Sequence, residues 1–244
     1  MTDSPRGPDP DTLGNDPLDE SQPIPLRIRK NKRARRLILR ADPATGGAVV
    51  TCPTWVGEAE ARAFAAKQED WVRAQLAEGP RPLPFADGAE IPFLGRPHVI
   101  RHRPEARGGV WVDGDEIHVS GQAEHLRRRL TDWLKREARR RIVAVVTRAA
   151  GELDVSFGRI TLRDTTSRWG SCAVNGNLSF SWRLVLAPEW VIDYVACHEV
   201  AHLLEHNHGP RFWALVDRLV PDVERCRVWL HGEGAALQYI GHGD

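Results

Sequence analysis

No apolar run in these 244 residues approaches the roughly 18 needed for a helical membrane span. The first 24 residues hold no aromatic side chain and nothing like the apolar core of a secretory signal. Cysteine is scarce: Cys52, Cys172, Cys197 and Cys226 lie far apart and form no Cys-x-x-Cys pair. That spacing excludes a dense disulfide framework and points to reduced thiols in a cytoplasmic protein. Charge of one sign is lacking too, because a formal net charge of +1 advertises no nucleic-acid or membrane partner for the whole molecule. There is no internal repeat.

What remains is ordinary globular material, 41% hydrophobic and 27% charged, in a chain long enough to bury a sizeable core. Residues 1–24, rich in Pro, Asp and Gly, are expected to be a disordered tail. Residues 25–122 read as a β-rich region. It opens with two β-like runs around a turn at 42–47, the first carrying seven Arg or Lys between Arg27 and Arg36. Such charge suits a solvated or edge strand guarded against mispairing. It also suits a nucleic-acid contact face over 27–40. Phe64, Lys67, Trp71 and Val72 recur near the 3.6 period and predict a helix over 57–76, followed by β-like stretches at 91–103 and 109–120.

Residues 123–244 read as a second domain. A long amphipathic helix is expected over 123–153, burying Leu126, Leu130, Trp133, Leu134, Ala138, Ile142 and Val145. A strand near 156–164, the loop SRWGSCAVNGN and a strand over 178–186 come next. Pro188 suits the first turn of a further helix, which Asn207 to Pro210 should end before RFWALVDRLVP starts another.

That penultimate helix carries the sharpest signal, His198-Glu199-Val200-Ala201-His202. Histidines four residues apart on a helix point the same way and can share one cation. The glutamate beside the first then sits where it can take a proton from a water whose pKa the cation lowers. Imidazole ligands in a tetrahedral set fit Zn²⁺. A structural reading, with histidines capping carbonyls or facing solvent, is weakened by Ile192, Val195 and Leu203, which make the helix core-facing. A third ligand is needed, and His208, His206 and Glu205 are the candidates in that order, with the fourth position left open for water. In the loop, Trp169 is expected to pack, Gly170 to make a tight turn and Cys172 to be buried. Arg168 or Trp169 is the alternative as a substrate contact at the cleft. No residue type or spacing singles out the group that stabilises the oxyanion, for which Arg168 and Tyr194 are the candidates, Tyr194 reading more readily as core.

Three segments, RWGSC (168–172), GNLSFSWRLVLAP (176–188) and VIDYVACHEVAHLLEHNHGPRFW (191–213), together resemble the YgjP-like metallopeptidases, relatives of SprT- and WLM-type zinc proteases. RKNKRARRLILR (29–40) and FADGAEIPFLGR (85–96) resemble that family's β-rich N-terminal region more weakly. The resemblance implies an α+β fold: a zincin-like C-terminal catalytic half, with a mixed sheet on the HExxH helix, joined by a long connecting helix to the β-rich region. It implies His198, His202 and His208 as ligands of one Zn²⁺ per chain, and Glu199 as general base. It also implies an edge strand that holds an extended peptide, for which 178–186 is the natural candidate. This chain has Gly209 where the family's turn carries serine, a departure that touches no ligand.

The expected function is therefore a cytoplasmic zinc metallopeptidase acting on peptides or proteins, with no membrane partner. Two alternatives stand beside it: a metal-dependent hydrolase of nucleotide phosphoanhydrides, and a DNA-associated protease or binding module using the basic strand 27–40.

Overall fold

The computed structural model describes residues 23–43, 45–165 and 168–242. They fall into two compact units, Met1–Pro80 and Arg81–Asp244. The tail expected over residues 1–24 lies outside the described residues up to position 22.

In the first unit, β1 (Leu26–Lys30), β2 (Ile38–Asp42) and β3 (Gly47–Cys52) form a sheet ordered β1-β3-β2. Strand alternation sorts the side chains. Leu26 and Ile28 pack towards Val50, Cys52, Val56, Ala61 and Ala65, while Arg27, Arg29 and Lys30 are exposed on an edge strand. The single helix expected over 57–76 is two, α1 (Glu58–Ala66) and α2 (Glu69–Glu78), because Gln68 leaves helical geometry at ψ 17. Their inward face is Ala61, Ala65 and Val72, and Trp71 stays 44% exposed.

The second unit begins with two hairpins, β4 (Glu90–Phe93) with β5 (Arg96–Arg103), and β6 (Val110–Asp113) with β7 (Glu116–Ser120). They join as a sheet ordered β4-β5-β7-β6 through the parallel β5–β7 pair. The first hairpin turns on Leu94 and Gly95, both at positive φ, as a tight two-residue hairpin loop requires. The backbone N–H groups of these two residues donate to the carbonyls of Val185 and Leu186, so the hairpin tip grips the segment that leads into the histidine helix.

Helix α3 (Leu126–Leu153) buries Leu126, Leu130, Leu134, Ala138, Ile142 and Val146, a stripe at helical spacing. Trp133 and Val145, expected on that stripe, lie at its margin. The expected division after residue 122 falls inside this unit, where Ile91, Ile100 and Ile117 share one core cluster with α3.

Strands β8 (Ile160–Arg163), β9 (Gly170–Cys172) and β10 (Leu178–Ser181) form the second sheet of this unit, ordered β8-β10-β9, with β10 parallel to β8 and antiparallel to β9. Two expectations for 178–186 are corrected here. The strand stops at Ser181, whose hydroxyl accepts from the Arg183 N–H and starts a 3-10 turn over Trp182–Leu186. And β10 is the central strand, so the edge on that side belongs to β9.

Helices α4 (Glu189–Ala201), α5 (Pro210–Leu219), α6 (Val223–Gly232) and the single turn α7 (Gly234–Leu237) complete the unit. Leu186, fully buried just ahead of α4, joins the core that fixes where this helix starts. Leu186→Ala should destabilise the protein by about 2–5 kcal/mol, the range for a buried leucine that leaves a cavity. Urea unfolding of the metal-free protein measures this, and a loss under 1 kcal/mol would mean the segment relaxes freely.

Candidate metal centre

Helix α4 is apolar nearly all round, burying Val191, Ile192, Val195, Ala196, Val200 and Ala201, so it runs through the core with its polar residues committed. His198 and Glu199 lie in its last turn and His202 is its C-cap. The helix ends at Ala201, six residues before Asn207 and earlier than the sequence suggests. N–H groups of Leu203 and Leu204 donate to the carbonyls of Val200 and Ala201, three residues back, which tightens and closes the last turn.

The chain then loops through Asn207, whose carbonyl accepts from the Gly209 N–H at 2.7 Å, and re-enters a helix with Pro210 in the first turn of α5. This turn returns His208 to the end of α4. A ring nitrogen from each of His198, His202 and His208 lies within 4.8 Å of the others. Neither His206 nor Glu205 joins that group, and neither do Cys172 and Cys197.

The three rings share a support that sequence reasoning missed. Phe212, fully buried on α5, sits 4.8, 4.5 and 4.7 Å from the ring centroids of His198, His202 and His208. Its signal in the sequence was only its place, two residues into the helix that follows the His208 turn. Tyr194 is buried one turn before His198, edge-on to it at 5.8 Å, and so belongs to the packing around that ring.

His198 and His202 are prepared to act as neutral donors. Nδ1 of His202 donates to the Glu205 carbonyl at 3.0 Å, which leaves Nε2 with its lone pair. Nε2 of His198 lies 3.1 Å from Nε2 of His208. Two nitrogens bound tetrahedrally to one zinc ion are about 3.3 Å apart. Burial pulls the His198 imidazolium down to about 4, helped by His202 and His208. Burial lowers His202 as well, against its bond to Glu205. The donor set therefore fits a divalent cation of imidazole preference.

Glu199 is 6% exposed, and burial lifts its carboxyl to about 7 against the opposing pull of Arg168 and the Cys172 backbone N–H. Its neighbour is β9. Gly170 has ordinary strand geometry and makes no turn; its lack of a side chain matters because a Cβ there would come within 2.5 Å of Glu199 Oε1 and 2.7 Å of its Cγ. Trp169 packs against the core as expected. Cys172 is part-buried, and burial with Glu199 beside it raises its thiol pKa, so it stays protonated. Cys197, inside the core, is pushed up to about 12 by burial.

The family model described as "YgjP-like, metallopeptidase domain" matches residues 35–233. The chain belongs to the YgjP-like family. The match spans both the β-rich first part and the histidine helix, as the sequence resemblance implied. No curated protein and no solved structure matches it. As a YgjP-like metallopeptidase domain the chain is assigned to metal-dependent peptidases, and His198, His202 and His208 could hold the metal. No described helix of this YgjP-like chain is long and apolar enough to cross a membrane.

Proposed function

We propose that the chain is a zinc-dependent metallopeptidase of zincin-like architecture, in which His198, His202 and His208 hold one Zn²⁺ and Glu199 is the general base. The observation that carries this is the meeting of three imidazoles from two separate segments at one point, beside a buried carboxylate. Zinc would supply Lewis acidity towards a peptide carbonyl and the attacking water. Glu199 takes the water proton on its carboxylate and delivers it to the leaving amine. Arg168, whose charge acts on Glu199, biases that carboxyl towards its ionised form. The outer edge of β9, next to Glu199 and with the Cys172 N–H turned to that carboxylate, offers an extended peptide a strand to join. Four free thiols fit work in the cytoplasm. No specific observation favours phosphoanhydrides as substrates or DNA as a partner of the strand over 27–40.

Elemental analysis tests the metal assignment. Wild type should carry one zinc per chain. His208→Ala should lose most of it, whereas His206→Ala should keep it. A folded wild type that takes up no zinc, or a His208→Ala protein that binds it fully, would overturn the ligand set.

A further inference from the structure

The sheet β8-β10-β9 has two faces of opposite character. Ile160, Leu178 and Phe180 are buried on one. On the other, Thr161, Ser179 and Ser171 stand in one register row across the three strands. Arg159 and Arg163 flank Thr161 along β8, and Arg168 lies in the β8–β9 connection. These six residues line a groove of about 540 Å³ whose described lining contains no carboxylate.

Several other arginines of this unit have a carboxylate partner. Arg101 is paired with Glu116, Arg141 with Glu137, Arg148 with Glu152 and Arg183 with Asp164. Asp164 follows Arg163 in sequence, yet its carboxylate is taken by Arg183. Among the described residues, no ion pair involves Arg159, Arg163 or Arg168. The guanidinium groups of Arg159 and Arg163, with Arg168, whose charge also acts on Glu199, surround a row of small hydroxyls and make an anion-seeking surface, able to hold carboxylates by paired N–H donors.

The groove and the candidate metal centre lie on opposite faces of the sheet and share β9 as their border. Gly170 lines the groove and also lies against Glu199. We propose that this groove is a substrate-selecting subsite, which binds polypeptide segments bearing Asp or Glu side chains beside the scissile bond. The inference rests on the reading of the three-histidine site as a peptidase centre. Single-stranded nucleic acid is the weaker occupant, because it needs exposed rings for its bases to stack on. The rings lining the groove are Trp169, which packs on the core, and Phe180, which is 1% exposed.

The test separates binding from cleavage. A fluorescein-labelled peptide with Glu at alternate positions and its Gln counterpart are titrated against zinc-loaded Glu199→Gln protein, with an oligodeoxynucleotide as competitor. The Glu peptide should bind about fivefold tighter or more, the scale of one or two partly exposed ion pairs. Adding Arg159→Gln and Arg163→Gln should bring that ratio towards one. Arg163→Glu should reverse it in favour of a Lys peptide, a gain that misfolding cannot mimic. Wild-type protein should show the same order in kcat/KM. Equal binding of the Glu and Gln peptides overturns the inference, as does a preference that survives the arginine changes. So does displacement of the peptide by the oligonucleotide at lower concentration than by unlabelled Glu peptide. Failure of zinc-loaded wild type to cut any peptide would overturn the peptidase reading instead, while the titrations still decide what the groove binds.

Discussion

Gly170→Ala should lower kcat/KM by roughly a hundredfold while the protein keeps its zinc, because a carboxylate displaced by about an ångström loses that much. The added methyl would meet Glu199 at Oε1, Cγ and Cδ, at 2.5, 2.7 and 2.8 Å. A clash with Oε1 alone could be relieved by a small swing of the carboxylate. A clash with Cγ cannot, since the side chain is 6% exposed and enclosed in the core. Either Glu199 turns away or β9 lifts from α4, and both would separate the proposed base from the water it is proposed to activate. The three imidazoles do not touch this contact, so metal content is the control that distinguishes a moved base from a collapsed site. A double-mutant cycle sharpens the result: Glu199→Gln should cost far less on top of Gly170→Ala than in wild type. Near-normal activity for Gly170→Ala would mean that Glu199 does not need its observed position.

The pair His198 and His202 was legible because helix periodicity is local: four residues bring two rings to one face whatever the rest of the chain does. His208 was legible only as a first choice among three, since a turn's direction depends on tertiary contacts such as Phe212. The helix end was misplaced for a related reason. Asn207, Gly209 and Pro210 are strong breakers in sequence, yet α4 closes at His202 through tightened hydrogen bonds that no residue type announces. The run LSFSWRLVL reads as one strand, but Ser181 in its middle caps a 3-10 turn. Strand order was out of reach altogether. β9 is three residues long, too short for an alternation pattern, and it is the strand that flanks β10 and borders Glu199. Gly170 shows the same limit. Its sequence context suggests a turn, whereas the requirement is room for a side chain 29 positions away.

Glu199→Gln should lower turnover by roughly a thousandfold, the scale of general-base catalysis, with zinc retained. It should also make the metal-free protein more stable at pH 8, which no loss-of-fold explanation predicts. Burial lifts the Glu199 carboxyl from its ordinary 4.5 to about 7 in the folded chain, with Arg168 and the Cys172 N–H opposing. The folded state therefore holds this proton over a range where the unfolded chain has released it. Stability falls as pH rises from about 4.5 to 7, and by pH 8 the full penalty, about 3 kcal/mol, is in place. Glutamine carries no such penalty and can still accept from the Cys172 N–H. The two melting temperatures should diverge between pH 5 and pH 8 and coincide below pH 4.5. His198 acts in the other direction. Its pKa is pulled down to about 4, so its contribution is lost as pH falls from 6.5 towards 4, in both proteins alike. Equal stability at pH 8 would mean that Glu199 ionises without penalty in the metal-free protein, and with that the role proposed for it, a base tuned by burial, would fall.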